Sequence, residues 1–208
     1  MIRTQISVPA ERTAVIRPSR PAAPIRSASP AATIRPGHPA AVIRPACPAD
    51  RVALGDFLAG LSVHTLYLRF FAPVTPTPAL LNLLSGGAAN IDAVVAVRDG
   101  VVIGHAMAVD PQQPAATDVG VVVADAWQGQ GVGSALIRAL VARAQARGVT
   151  SIAMDVLHVN RRVLAMIGAH WPAADIGGSP DYLTIKIGLP RLRPLEGRTQ
   201  WCGAMYQA

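Results

Sequence analysis

Apolar and polar positions change period repeatedly along residues 41–189, and each change predicts an element. From Pro48-Ala-Asp50 the spacing is helical, with Val52, Leu54, Phe57, Leu58 and Leu61 on or near one face and Asp50 placed to cap the first turn. A second helix is predicted from about Val63 to Phe70. Pro73, Pro76 and Pro78 then impose a loop, followed by a short helical turn over Leu80 to Leu84. Ile91 to Val97 and Val101 to Val109 read as apolar strands joined at Arg98-Asp99-Gly100, where Asp-Gly signals a hairpin. Pro111 to Pro114 makes the next turn, and a third strand runs from about Thr117 to Ala124. Helical spacing returns over Ala135–Arg147, Ser151–Leu157 is strand-like, and Asp181–Ile187 alternates as a final strand with one wet face. An antiparallel start feeding strand, loop, helix and strand predicts a mixed α+β sheet.

The ends of the 208-residue chain have a different character. Residues 1–40 are low-complexity Ala, Pro, Arg and Ser in which a phrase recurs: Ala14-Val-Ile-Arg-Pro18, Pro24-Ile-Arg26, Ala32-Thr-Ile-Arg-Pro36 and Ala41-Val-Ile-Arg-Pro45. Only the last copy leads into a helix-like segment, and seven prolines disfavour helices and central strands before it. A disordered arm over 1–40, a domain over 41–189 and an irregular tail over 190–208 are expected.

Charge follows the same division. The arm carries +5 and the tail +2, while 41–189 is neutral, so the net +7 belongs to the ends. A pI near 10.7 invites a nucleic-acid reading, but no recognition helix or aromatic-basic surface accompanies the arginines, and no specific nucleic-acid partner is expected. Cys47 and Cys202 lack CxxC or Cys/His spacing, which points to a reduced cytoplasmic chain without a structural metal. The longest apolar runs are strand-sized, so no membrane segment is expected.

Chemistry concentrates in Val119-Gly-Val-Val-Val-Ala-Asp-Ala-Trp127-Gln128-Gly129-Gln130-Gly131-Val132-Gly133-Ser134, which joins a strand to a helix through three glycines. Such a turn lets backbone amides converge on one point, and the positive end of the helix dipole faces the same point. An anionic cofactor is the first hypothesis; a glycine-rich turn without a ligand is the plain alternative. A P-loop would need Gly-Lys-Ser/Thr, and the chain's only lysine is Lys186. A dinucleotide fingerprint nearly fits Gly129-x-Gly131-x-x-Ser134 with Asp155 beyond, but its third glycine is a serine and about 80 residues of domain precede the loop.

Gln128-Gly129-Gln130-Gly131-Val132-Gly133 fully matches the Q/R-x-x-G-x-G/A loop of the GNAT acyltransferases, which the chain resembles here. The likeness continues in Asn160-Arg161-Arg162-Val163-Leu164, similar to an Asn-led family helix, and in Val42-Ile43-Arg44-Pro45-Ala46 with Asp50, similar to a first strand and helix cap. Leu61-Ser62 through Tyr67-Leu68-Arg69-Phe70-Phe71 resembles the second helix of the bacterial protein-lysine acetyltransferase (Pat-like) branch. The resemblance spans roughly 41–189. It implies the GNAT fold, a mostly antiparallel central sheet flanked by helices.

It also implies acetyl-CoA as co-substrate. The pyrophosphate would rest on the amides of about Gln130 to Ser134, within a cofactor set of Gln128, Gly129, Gln130, Gly131, Val132, Gly133 and Ser134. Pantetheine would run along Val121, Val122 and Val123 into a split before the strand at Ser151, near Asn160, which could equally cap its helix. Arg138 could reach a CoA phosphate or belong to a solvated helix face.

Acetyl transfer needs a neutral amine, and an amine of pKa about 10.4 is only about 0.04 % neutral at pH 7, so a base within reach matters greatly. The candidate is Asp118, on the strand where the lysine-acetyltransferase branch usually carries Glu; a solvated strand-end carboxylate is the alternative. His105 and His64 are rival bases, each readable as structural. An N–H near Val123 would serve as oxyanion donor if the family geometry holds. The family's Tyr seven residues after the Asn is Ile167, so no general acid carries over; water, Tyr67 or Tyr182 would have to serve. Trp127 and Trp171 read as packing residues. The expectation is an N-acetyltransferase acting on a primary amine, preferably a protein lysine, with small-molecule amines, a non-catalytic CoA-binding module and a dinucleotide oxidoreductase as alternatives. A homodimer is left open.

Overall fold

Seven strands form one sheet in the order β1-β2-β3-β4-β5-β7-β6. They are β1 (Val42–Pro45), β2 (Ile91–Arg98), β3 (Val101–Val109), β4 (Thr117–Val123), β5 (Ser151–Leu157), β6 (Asp175–Gly178) and β7 (Tyr182–Gly188). The helices are α1 (Arg51–Ala59), α2 (Val63–Phe70), α3 (Pro78–Leu84), α4 (Val132–Ala146) and α5 (Arg161–His170). This computed structural model describes residues 41–111 and 116–190. The arm over 1–40, the centre of the Pro111–Pro114 turn, the tail beyond Pro190 and Cys202 lie outside the described residues.

Every neighbouring pair of strands is antiparallel except β4 and β5. The β2–β3 hairpin turns at Asp99 (φ 50°) and Gly100 (φ 79°), two successive left-handed residues whose twist matches that of the flanking strands. Strand alternation then sorts side chains into two cores. On one face Leu136, Ile137 and Leu140 of α4 and Ile167 of α5 pack on Val94, Ala106, Ile152 and Ile185. Helix α4 approaches β3 so closely that a Cβ on Gly104 would lie 2.9 Å from Leu136 Cδ1. On the other face Leu54, Phe57 and Leu58 of α1 and Leu84 of α3 cover Val95, Val102 and Val122. No helix among the described residues is long and apolar enough to cross a membrane.

Two local outcomes depart from the sequence pattern. Asp50 does not cap α1 with its side chain: it ends a 3-10 turn, Pro48–Asp50, and its carboxylate turns back to the preceding chain. There it accepts from Cys47 N (2.9 Å) and from both terminal nitrogens of Arg44 (2.8 and 2.6 Å). Arg44 is the main cause that lowers its pKa to about 2. The second departure is β6, absent from the expectation because Asp-Ile-Gly-Gly lacks alternation and three of its residues disfavour strands. It forms as an exposed edge by backbone pairing with β7, Asp175 opposite Lys186 and Gly178 opposite Leu183.

Candidate active site

The site begins where the parallel pair comes apart. Strand β4 pairs with β3 from Asp118 opposite Val109 to Val123 opposite Gly104. Its register with β5 covers only Thr117 opposite Ile152 and Asp118 opposite Ala153. Ala124 N donates to Ile103 O (3.0 Å), which sets the antiparallel phase: 118, 120 and 122 bond to β3, and the N–H and C=O groups of Val119, Val121 and Val123 face the β5 side. Beyond Asp118 these groups border an open split. Two of the residues chosen for the pantetheine, Val121 and Val123, thus present backbone there, whereas Val122 turns its buried side chain to the α1 core.

The loop after β4 ends at Gly131, the N-cap of α4, with φ 84°. No side chain caps this helix, so its first N–H groups, from Val132 to Ser134, are left for something else to accept. A Cβ on Gly131 would meet nothing within 4 Å, so the left-handed backbone rather than crowding requires glycine there. Gly133 lies inside the first turn, where a Cβ would touch Val123 Cγ2 at 3.5 Å. These uncapped amides beside open space fit a diphosphate.

Side chains fix the loop from the side of α2. Ser62 caps α2, its Oγ accepting from Thr65 N (3.1 Å), and Asp125 accepts from Ser62 N (2.9 Å), Ser62 Oγ (2.8 Å) and Thr65 Oγ1 (2.7 Å). The Ser62 amide is the first cause holding the Asp125 carboxyl below its usual range. Gln128 donates through Nε2 to Thr65 Oγ1 (3.1 Å) and to Val123 O (3.2 Å), so its amide latches α2 to the end of β4. Gln130 Nε2 donates to Ala126 O (2.8 Å).

Asp118 stands at the fork on the face opposite α4, its side chain exposed. Partial burial raises its pKa, and the charge of Asp155, two residues past its partner Ala153, adds to the rise. Asp155 itself accepts from Thr184 Oγ1 (2.7 Å). Asn160 caps α5, accepting from Val163 N at 3.3 Å. Arg138 and His64 are exposed. Ile167 is 1 % exposed, so the position of the family tyrosine is core. His105 is 1 % exposed, with Nε2 2.9 Å from Leu84 O, and burial depresses its pKa to about 4, out of reach of solvent base chemistry. Trp127 packs on the α4 core and holds Arg98 over its ring at 4.4 Å; Trp171 packs there too.

Two arginines near the site were not singled out by the sequence. Arg162 of α5 lies against Gly129, where a Cβ would collide with its Nη2, and its Nη1 is 3.5 Å from Gln128 Oε1. Arg69 of α2 lies in the same way against Gly120 in mid β4. Glycines inside a strand or loop mark close approach, and Gly120 within a run of valines was that signal. Among the described residues no group of three or more His, Cys, Asp or Glu is arranged to hold a metal.

The family model of the Acetyltransferase (GNAT) family matches residues 61–169, more than half of the 208-residue chain and inclusive of α2, the split, the loop and α5. The chain belongs to this family. It is a GNAT acetyl-CoA-dependent N-acetyltransferase, with acetyl-CoA as co-substrate. Among similar solved structures, the GNAT domain of S. lividans PAT is 24% identical with a TM-score of 0.65, covering 72% of this chain and 90% of that one. A phosphinothricin acetyltransferase from Sinorhizobium meliloti in complex with acetyl-CoA is 21% identical, TM-score 0.55, covering 77% and 96%. The yncA protein of Salmonella typhimurium, solved with acetyl-CoA, is 15% identical, TM-score 0.57, covering 77% and 99%. At these identities the likeness establishes the GNAT fold of this chain.

Proposed function

We propose that the protein acetylates a primary amine with Asp118 as general base, and that a protein lysine is the preferred acceptor. The observation that carries the reading is Asp118 itself: a carboxylate of raised pKa at the point where β4 and β5 separate. A raised pKa makes a carboxylate a better proton acceptor. Acetyl-CoA supplies the activated acyl group when bound. The chain's own groups do the rest: the Val132 to Ser134 amides hold the diphosphate, Val121 and Val123 border the arm, and the Val123 N–H is available to a carbonyl oxygen.

The lysine preference is supported by the α2 segment Leu61–Phe71 and by an open sheet surface. On the face of Asp118, Asp155, Lys186, Asp175 and Gly177 are exposed on β5, β7 and β6, which leaves room for a polypeptide. Localisation in the cytoplasm, the bacterial Pat-like assignment and the arm, domain and tail division belong to the same reading.

A thermal shift with acetyl-CoA beside NAD tests the cofactor. At a hundredfold over its dissociation constant acetyl-CoA is expected to add about 2.7 kcal/mol, and NAD nothing. Thiol release over a panel of lysine peptides and small amines then names the acceptor. Equal thiol release with and without every amine would leave a CoA-binding module without transfer.

A further inference from the structure

The α2 side of the site holds a cation with no ion pair among the described residues. Arg69 Nε and His105 Nδ1 are the buried side-chain polar atoms without a hydrogen-bond partner among the described residues. No ion pair to Arg69 is present among them, and its one polar-aromatic contact is the Phe70 ring, 5.0 Å from Cζ. The Nε is shielded while the residue as a whole is half-buried, so the terminal nitrogens are the part that reaches open space. Burial lowers the pKa of Arg69 to about 10, which leaves it charged at neutral pH. A half-buried guanidinium with no ion pair among the described residues is held at a cost, and an anion brought by a ligand relieves it.

Position says which ligand. The guanidinium rests on Gly120, where a Cβ would collide with Cζ, Nη1 and Nη2. Gly120 and Asp118 share one face of β4, two residues or about 7 Å apart. The C-terminal end of α2 is fixed by Phe71, left-handed at φ 61°, whose ring lies 5.9 Å from that of Tyr182 on β7. A carboxylate and a guanidinium too far apart for an ion pair, side by side on the acceptor face, suit a small zwitterionic group with its amine toward the first and its carboxylate toward the second. The diphosphate amides sit nine or more residues further along, beyond the end of β4, so they are a separate anion site.

We infer that Arg69 is the anion-binding residue of the acceptor subsite, and that the acceptor carries a carboxylate within a few ångströms of the amine to be acetylated. This rests on the amine-acetylation reading above. The carboxylate can belong to a free α-amino acid or to an acidic residue beside a protein lysine; the chemistry at Arg69 is the same. Bidentate pairing with the fork of Arg69 distinguishes such acceptors from their uncharged analogues.

The experiment measures kcat/KM for matched pairs in the full-length protein. One arm pairs α-amino acids with the amines left by removing the carboxylate; the other pairs peptides holding Lys beside Asp or Glu with their Asn or Gln counterparts. Because each result is a ratio within one preparation, incomplete folding of a variant cancels. The wild type is expected to favour the carboxylate-bearing member of at least one arm by about tenfold or more, and that arm identifies the source. The ratio should collapse towards one in Arg69→Gln and in Gly120→Ala, which displaces the guanidinium, and be partly retained in Arg69→Lys. Amines acetylated with no preference in either arm, or a preference intact in Arg69→Gln, would overturn the inference while leaving amine acetylation standing. Acetyl-CoA binding without transfer to any amine would remove both.

Discussion

We propose that at the amino end of α4 the site holds its cofactor with backbone, whereas at β4 it uses side chains, Asp118 of the strand itself and Arg69 brought from α2. The loop from Gly129 to Ser134 offers amides at an uncapped helix start, with Gly131 in a conformation that L side chains rarely adopt. On the face of β4 opposite α4 stand Asp118 of the strand itself and, against Gly120, the guanidinium of Arg69 from α2, each with a pKa moved by its surroundings. Amides need no protonation and do not vary with pH. A carboxylate does vary with pH, which suits an acceptor amine that must lose protons during transfer, while the Arg69 guanidinium stays charged at neutral pH. The two halves should therefore fail separately when mutated.

The largest effect is expected at the acceptor half. Asp118→Asn should lower kcat/KM by about 10²- to 10⁴-fold at neutral pH, with acetyl-CoA affinity retained in a thermal shift or calorimetric titration. The wild-type rate should rise with pH as Asp118 ionises, in a range above that of an ordinary carboxylate because burial and Asp155 raise its pKa. On the cofactor half, Gly131→Val should weaken acetyl-CoA by about tenfold or more, since φ 84° strains a β-branched residue. The space around Gly131 is open, so far-ultraviolet circular dichroism should show the fold intact.

Stability tests give smaller numbers. His105 is neutral in the native protein, with its pKa depressed from 6.5 to about 4, first by burial and also by the charge of Arg69. The unfolded chain takes up this proton first, so the contribution is fully present above pH 6.5 and is lost as pH falls towards 4, by about 3 kcal/mol. Urea midpoints across that window should slope accordingly, and the slope should flatten in His105→Gln whatever that variant's absolute stability. Smallest is the latch between the halves. Asp125→Ala removes three hydrogen bonds at an exposed site and should cost about 1 kcal/mol in chemical denaturation. Acceptor turnover should suffer more than acetyl-CoA binding, because the latch positions α2.

The same contrast explains what could be read from the chain. The hairpin, β4 and β5 follow from apolar runs and the Asp-Gly turn, and α2 and α3 from helical spacing and the prolines between them; the caps at Ser62 and Thr77 that fix their starts are seen in the structure. The loop was legible because its geometry demands glycine at fixed spacing within six residues. Arg69 on Gly120 was not, because 51 positions separate residues that only the packed α2 brings together, and one glycine among valines names no partner. Asp50 had the composition of a cap, but Arg44 and Cys47 N compete for its carboxylate and win. Strand β6 is held by the edge of β7 rather than by its own residues.

If backbone holds the cofactor while Asp118 moves the proton, acetyl-CoA affinity and amine turnover measured together in Asp118→Asn will separate. Affinity should stay at the wild-type level while turnover falls by about two orders of magnitude or more. Turnover within a fewfold of wild type, or affinity that falls in step with turnover, would contradict that separation.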